Sequence, residues 1–447
     1  MGKILVIGSG LSGISAAELL VRANEMPVLF DSNEKLSAEE IGKKLSGDTT
    51  VEIYTGSLPS EVSEQIETLV LSPGVAIDSA FVNEFRKRGV KISGEIELAY
   101  TYEKGRLLAV TGTNGKTTTT ALLGAIMQDY FQTVFVVGNI GNPYTRTVLD
   151  TMEQSVTVAE ISSFQLETIE RFHPRVSAIL NITPDHLNRH HTMEQYIIEK
   201  EKIAGNQTKE DTVVLNYEDA VTREFGAITS ARPVYFSSAR RLEEGFYLSG
   251  DMICMRRSNE ETRLLSVSEL QIIGRHNVEN AMAAIAMADA FGVPLASIVA
   301  SVKRFKAVAH RIEFVAQKDG VVYYNDSKGT NVDAAIKGIQ AMTRKTCLIG
   351  GGYDKDADYD EWIEAFDGKV KKLVLIGATA EKIAACANKH GFLDYVFASG
   401  MEEAVRICAE NAKSGDAVLL SPACASWGMF ENYEQRGDLF KELVKKL

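Results

Sequence analysis

Short runs of apolar residues recur along the whole chain, each closed by glycine or a small polar residue and followed by a stretch with helical periodicity. KILVIG leads into LSGISAAELLVRAN, and RLLAVTG leads into KTTTTALLGAIM; VVYYND, TCLIGGG, KLVLIGA, DYVFAS and AVLLSPA repeat the pattern further on. Near-continuous Val/Ile/Leu runs, rather than strict alternation, predict strands covered on both faces, as in parallel sheets flanked by helices. The expected fold class is α/β in three domains: a Rossmann-like domain over 1–94, a central, mostly parallel sheet over 95–306, and a second Rossmann-like domain over 307–447. Between 211 and 275, TVVLNY, PVYFSS and MICMRR alternate with turn residues and predict a β-rich decoration of the central domain. IGRHNVENAMAAIAMADAFG predicts a helix with Asn277 and Asn280 near its start and Gly292 near its end.

The most informative of the strand-to-helix turns is Arg106–Thr120, RLLAVTGTNGKTTTT. Gly112, Thr113, Asn114 and Gly115 form a turn whose backbone N–H groups, with the positive end of the next helix, can wrap phosphate oxygens. Lys116 can sit on the outer phosphates, and Thr117, followed by Thr118, offers a hydroxyl to Mg²⁺. The usual P-loop spacing puts its first glycine at position 110, where this chain has Val110, so the loop is a shortened variant. The central sheet is therefore expected to be of the P-loop ATPase type. Without such a ligand the same residues would be an ordinary glycine-rich turn with an exposed lysine.

Gly8, Gly10 and Gly13 place a G-x-G-x-x-G fingerprint in the first turn, and the next strand ends at Asp31, where a Rossmann fold holds a ribose. Read literally this signals a dinucleotide; read physically it signals a phosphorylated, ribose-bearing ligand. A further strand, TLVLSPGV, delivers Ser72, Pro73 and Gly74 to the same edge. In the central segment, strands end at Asn139, at Glu160 and Ser162, and at Asn181, Asp185 and His186. Singly, such residues are helix caps or surface groups; together beside a phosphate loop they suit a cation, with Glu160 the hard oxygen ligand and His186 the less usual one.

Composition narrows the classes further. The net charge of −12 over 447 residues argues against a nucleic-acid partner. Five cysteines without a C-x-x-C pair predict reduced core residues rather than a zinc cluster. MGKILVIGSG runs straight into a strand with no signal-peptide pattern, has Val6 where myristoylation needs Ser or Thr, and no apolar run approaches a membrane span. The expectation is a cytoplasmic enzyme without membrane insertion.

GTNGKTT, AEISSFQLE, ILNITPDHLNRH, GRHNVENAMAA, AHRIE, NDSKGTN and LLSPACASWGMFENYEQRG occur in this order across nearly the whole chain. That ordered set resembles the Mur ligases of peptidoglycan synthesis, most closely the branch that adds D-glutamate. The resemblance implies an ATP-dependent amide ligase joining D-glutamate to UDP-N-acetylmuramoyl-L-alanine through an acyl phosphate and a tetrahedral intermediate, acting as a monomer. It also turns the N-terminal fingerprint from NAD to UDP. By resemblance, Lys116 holds the β- and γ-phosphates, Thr117 and Glu160 hold one Mg²⁺, and His186 helps hold a second. Asn139 and Ser162 face the muramoyl substrate; Asn277, Arg311 and Asp326 bind the adenine nucleotide; Ser12, Asp31 and Ser72 bind the uridine end, where Asn33 replaces an arginine of some relatives. Lys328, Thr330, Lys355, Ser426 and Tyr433 take D-glutamate, two lysines suiting two carboxylates.

Family members also carry a lysine that reacts with CO₂ to become a carbamate. Counting from Tyr196 puts it at Lys200, with Lys202 the alternative. An ammonium there, ~4 Å from a divalent ion, would be repelled by roughly 8 kcal/mol at an effective dielectric of about 20, and carbamylation reverses the sign. Outside the family, EKEK reads as a solvated helix face. Other readings are a different Mur ligase, a folate polyglutamate ligase, which the N-terminal nucleotide domain disfavours, an NAD-linked oxidoreductase, which leaves the Lys116 loop unexplained, and a noncatalytic nucleotide-binding scaffold.

Overall fold

The computed structural model describes residues 2–47, 49–306 and 308–447; Met1, Asp48 and Ala307, and with them the first residue of two of the expected domains, lie outside the described residues. Three sheets organise the described residues. The first has five parallel strands, β1 (Lys3–Ile7), β2 (Pro27–Asp31), β3 (Glu52–Thr55), β4 (Ile66–Leu71) and β5 (Lys91–Gly94), in the order β3-β2-β1-β4-β5. Its strands are apolar on both faces. Val6, Leu29 and Val70 pack against Ile14, Ala17 and Leu20 of the helix Leu11–Arg22, while Leu5, Phe30 and Leu69 pack on the other face with Val82 and Phe85.

The second sheet has nine strands: β6 (Arg106–Thr111), β7 (Val134–Gly138), β8 (Val156–Glu160), β9 (Val176–Ile179), β10 (Thr212–Asn216), β11 (Arg232–Ser237), β12 (Gly245–Ser249), β13 (Met252–Arg257) and β14 (Glu260–Ser266). Their order is β14-β13-β12-β11-β10-β9-β6-β8-β7, parallel from β7 to β12 and antiparallel across β12, β13 and β14. The segment expected as a β-rich decoration of the central domain continues the central sheet itself: β10, β11 and β12 add to it in parallel before the chain turns back in hairpins.

The third sheet runs β15-β16-β20-β17-β18-β19, built from β15 (Glu313–Lys318), β16 (Val321–Asn325), β17 (Thr346–Gly350), β18 (Val370–Leu375), β19 (Tyr395–Phe397) and β20 (Ala417–Leu420). Only β15 is antiparallel to its neighbour. The α/β class with mostly parallel sheets is therefore as the sequence predicts. The expected helix spans Arg275–Phe291 and is followed by Gly292 at φ +97°, a left-handed stop that glycine takes without steric cost.

By packing, the chain divides into two compact units: residues 1–267 with 279–302, carrying the first two sheets, and residues 268–278 with 303–447, carrying the third. Residues 268–278, placed by sequence in the central segment, thus pack with the C-terminal unit. Among the described residues no helix is long and apolar enough to cross a membrane.

Candidate active site

In open parallel sheets, ligands gather at the carboxyl edge where strand order reverses. In the central sheet that point is β6, flanked by β8 and β9. Val110 pairs in register with Glu160 and Thr111 with Ile179, so the loop leaving β6 starts beside the end of β8 that carries Glu160. Val110 is buried within the strand, and the turn begins only at Gly112. The missing first glycine of the usual spacing thus falls inside the sheet.

Gly115 has φ +88°, and a Cβ there would lie 2.2 Å from Asn280 Oδ1; the left-handed backbone and the neighbour both require glycine. The turn is clasped from β9. Asn181 Oδ1 accepts from Asn114 N–H (2.8 Å) and its Nδ2 donates to Asn114 O (3.1 Å), while Thr113 Oγ1 accepts from Thr183 N–H (3.0 Å) and lies 3.1 Å from Tyr196 OH. The loop is therefore shaped by its own surroundings before any phosphate arrives.

Two lysines converge on it. Lys116 Nζ donates to Gly112 O (2.8 Å) and Thr113 O (2.9 Å), and Lys200 Nζ donates to the same Gly112 O (2.8 Å). Lys200 is fully buried on the helix Met193–Glu201, 4.7 Å from the Tyr196 ring centroid one helical turn away. Burial, and then the Lys116 cation, hold its amine well below the ordinary lysine range. Lys202 instead pairs with Glu199 at 2.6 Å, on a more exposed face.

Glu160 is buried; its Oε1 accepts from Asn139 Nδ2 at 2.9 Å, and its Oε2 has no hydrogen-bond partner among the described residues. An orphaned, buried carboxylate oxygen beside a phosphate loop is what a hard divalent cation satisfies, so Glu160 with the Thr117 hydroxyl fits Mg²⁺. Thr117 and Thr118 lie in the first turn of the helix Lys116–Tyr130, both buried. Ser162 caps the helix Ser163–Leu166, accepting from Gln165 N–H at 3.3 Å and donating to Gln165 Oε1 at 2.9 Å. His186 has φ 53° and its ring centroid lies 4.8 Å from that of Phe164. Next to it, His190 contacts Ser163 Oγ at 2.9 Å and is pushed by burial to a pKa of about 4, so it serves as a neutral packing group.

At the first sheet, a Cβ on Gly13 would lie 1.8 Å from Gly8 O, which explains the fingerprint as close helix-to-turn packing. Asp31 Oδ2 accepts from Ser9 N–H (2.9 Å) and Ser9 Oγ (2.6 Å), and Oδ1 accepts from Asn33 N–H (3.0 Å). Burial raises its pKa, but these hydrogen bonds outweigh it and hold the carboxyl below the usual range. Ser72 Oγ reaches Gly8 O at 3.5 Å, and Ser12 is half-buried on the following helix. Arg189, which sequence reasoning missed, clips this region to the central sheet by donating to Val75 O (2.7 Å) and pairing with Glu167 (2.7 Å).

The second unit holds the remaining residues. Asn277 Nδ2 donates to Ile273 O at 2.7 Å. Asp326, buried at the end of β16, accepts from Ser421 Oγ (2.7 Å) and Ile312 N–H (3.3 Å); burial raises its pKa to about 7 against the pull of Arg311. Arg311 Nε is buried without a hydrogen-bond partner among the described residues. Lys328 Nζ stands 5.4 Å over Tyr433, and Lys355 Nζ stands 5.3 Å over Trp427, which follows the buried Ser426. Thr330 N–H donates to Lys328 O at 2.9 Å. A buried arginine, also missed, ties these loops together. Arg436 donates to Ser327 Oγ (2.9 Å), Ser327 O (2.8 Å) and Cys424 O (3.1 Å); Ser327 adjoins Lys328, and Cys424 stands two positions before Ser426.

Comparison with known proteins accords with this arrangement. Residues 2–94 match the Mur ligase MurD-like N-terminal domain, 110–288 the Mur ligase middle domain, and 310–424 the Mur ligase glutamate ligase domain. The UDP-N-acetylmuramoylalanine–D-glutamate ligase of Lachnospira eligens is 56% identical over 99% of this chain and 98% of its own length. That of Lachnoclostridium phytofermentans is 56% identical over 100% and 98%. Among solved structures, the UDP-N-acetylmuramate-alanine ligase MurC of Thermotoga maritima shares the fold at TM-score 0.62 with 19% identity, covering 100% of both chains. MurF of Acinetobacter baumannii does so at 0.60 with 18% identity, over 86% of this chain and 87% of its own. With near-complete relatives at this identity and family domains matched in order, the chain belongs to the Mur ligase family.

Proposed function

We infer that this chain is the ATP-dependent ligase that joins D-glutamate to UDP-N-acetylmuramoyl-L-alanine, releasing ADP and phosphate, in cytoplasmic peptidoglycan precursor synthesis. The full-length identity to ligases of that name supports the substrates. The observation that carries the chemistry is the convergence of Lys116 and Lys200 on one glycine-rich turn, with the orphaned Glu160 carboxylate oxygen at the end of the strand paired with β6.

Amide formation from a carboxylate is uphill in water, so the alanine carboxylate first needs a leaving group. The turn 112–117 places N–H donors, the helix N-terminus and Lys116 around the triphosphate, stabilising charge as the γ-phosphoryl passes to the carboxylate. Thr117 and Glu160 would hold Mg²⁺, with His186 at a second ion; bound there, the metal would supply charge neutralisation for phosphoryl transfer. Asn139, already bonded to Glu160, orients the muramoyl substrate together with Ser162. The D-glutamate amine then attacks the acyl phosphate, and phosphate leaves the tetrahedral intermediate.

Lys328, Thr330, Lys355, Ser426 and Tyr433 take the two glutamate carboxylates; Asn277, Arg311 and Asp326 take the adenosine; Ser12, Asp31 and Ser72 take the uridine end. The three functional segments are 1–94, 95–306 and 307–447, and the ranges matched by the family domains support this division. The enzyme acts as a monomer. Lys200 is the carbamate lysine: a buried amine of lowered basicity is neutral enough to attack CO₂, whereas Lys202 is committed to Glu199.

Purified protein with ATP, Mg²⁺ and UDP-N-acetylmuramoyl-L-alanine should release phosphate only when D-glutamate is added. Equal release with L-lysine or L-alanine rejects the substrate assignment, and full turnover by Lys116→Ala rejects the phosphate role of the loop.

A further inference from the structure

Four of the five cysteines are buried, but Cys386 is not. It stands at the surface of the second unit, on the helix Ala380–Lys389, one turn before His390. Facing it, the short helix Asp360–Glu364 presents Asp360 at its first position and Glu364 one turn later at its last. Asp360 Oδ1 accepts from His390 Nε2 at 2.7 Å and from Cys386 Sγ at 3.0 Å. On the outer side, His390 Nδ1 lies 3.7 Å from Glu364 Oε1. Lys389 Nζ occupies only the other Asp360 oxygen, Oδ2, at 2.7 Å. A cavity of about 410 Å³ borders the cluster, lined by Asp358, Asp360, Lys382, Cys386 and Lys389, so the thiol is open to small solutes.

The geometry points to a binding site for one divalent transition-metal ion of the zinc class, held by Cys386 Sγ, His390 Nε2 and Asp360 Oδ1. One ligand atom from each of the three residues can be taken so that all lie within 4.8 Å of one another. That span brackets the edge of about 3.3–3.8 Å that a tetrahedral ion with bonds of about 2.0–2.3 Å requires. Two observations make this more than a thiol beside an acid. The ligand set mixes sulfur, nitrogen and oxygen, which selects a borderline-soft ion over the Mg²⁺ of the phosphate loop. And Glu364 Oε1, 3.7 Å from His390 Nδ1, stands on the far side of the ring, where it would receive the Nδ1 hydrogen once the ion takes Nε2, the carboxylate–histidine–metal arrangement of zinc centres.

The ion replaces two hydrogens now donated to Asp360 Oδ1: the Cys386 thiol proton goes to solvent, and the imidazole proton leaves Nε2 for solvent while Nδ1 takes one up, so one proton is released per ion bound and a water completes the four-coordinate shell through the cavity. Bound there, the ion would staple the start of one helix to the end of the other, on either side of Trp362, which lies between Asp360 and Glu364.

The test uses full-length, chelator-stripped protein titrated with Co²⁺ and then Zn²⁺. One equivalent of Co²⁺ should produce thiolate-to-cobalt charge-transfer absorption in the near ultraviolet, which oxygen-ligated sites at the phosphate loop cannot give, and Zn²⁺ should bleach it. Cys386→Ser should abolish the band, His390→Ala and Asp360→Asn should each weaken binding at least about 10-fold, and Glu364→Gln should weaken it by about 10-fold. Circular dichroism and Mg²⁺-dependent ligase turnover of Cys386→Ser should match the parent, showing that the variant folds. Absence of the band, its persistence in Cys386→Ser, or unchanged affinity in His390→Ala and Asp360→Asn would each overturn the three-ligand site.

Discussion

Arg436 offers the sharpest test of how the second unit is held together. Its guanidinium is fully buried and makes three hydrogen bonds, to Ser327 Oγ, Ser327 O and Cys424 O. Burial lowers its pKa to about 10, still far above neutrality, so it is charged in the native state. A hydrogen bond to a charged group contributes about 1.5–3 kcal/mol, and each buried carbonyl left without its donor costs about 1–3 kcal/mol, so losing the guanidinium from two carbonyls and a hydroxyl amounts to about 3–5 kcal/mol. Arg436→Met should therefore destabilise this unit by about 3–5 kcal/mol. For a domain of this size that corresponds to a fall in melting temperature of roughly 6–20 °C. Arg436→Lys keeps the charge but not the planar fork, and should lose about one such bond, about 1.5–3 kcal/mol. Both tryptophans of the chain, Trp362 and Trp427, belong to this unit, so denaturant unfolding followed by tryptophan fluorescence reports on it selectively. Because the anchored carbonyls lie one position before Lys328 and two before Ser426, KM for D-glutamate should rise in Arg436→Lys more than kcat falls. A lysine variant as stable as the parent, with unchanged KM, would refute the view that fork geometry rather than charge holds the loops.

Gly115→Ala should weaken Mg²⁺-ATP binding at least about 10-fold, since a left-handed alanine costs about 1–2 kcal/mol before its Cβ meets Asn280; calorimetry showing equal affinity would contradict this. Asp326 binds its proton more tightly in the folded state, with a pKa of about 7 against about 3.9 unfolded, so its contribution to stability is fully present below pH ~4 and lost as pH rises through ~7. Asp326→Asn should remove that fall, whose slope is at most about 1.4 kcal/mol per pH unit; parallel stability–pH curves would count against the shift. Lys200→Ala should lose turnover and regain part of it with acetate or formate, while Lys202→Ala should retain activity; rescue confined to the Lys202 variant would move the carbamate.

The shape of the glycine-rich turn was legible because its signals are local. A strand, a turn that needs glycine and a helix start follow one another within Arg106–Thr120, and the i, i+4 spacing of Tyr196 and Lys200 puts both on one helix face. What stayed hidden depends on packing between distant segments. Strand β15, EFVAQK, is mostly half-exposed and carries no buried apolar run, so it reads as a loop until it pairs with β16. Arg436 looks like a solvated helix residue until the turns at 327 and 424 close over it. Asp360, Cys386 and His390 form no contiguous motif, because two separate helices bring them together.

The central sheet closes on β14, whose outer residues Glu260, Glu261, Thr262 and Arg263 are exposed and mostly charged. Beneath it, β13 carries Ile253, Cys254 and Met255, an apolar ladder that would otherwise face water with unpaired backbone groups. A charged last strand makes that margin a poor template for another chain, so the ribbon acts as a guard against sheet-to-sheet aggregation in a crowded cell. Growth of the sheet on this side, far from the glycine-rich turn, gives evolution a place to lengthen the protein without disturbing its chemistry.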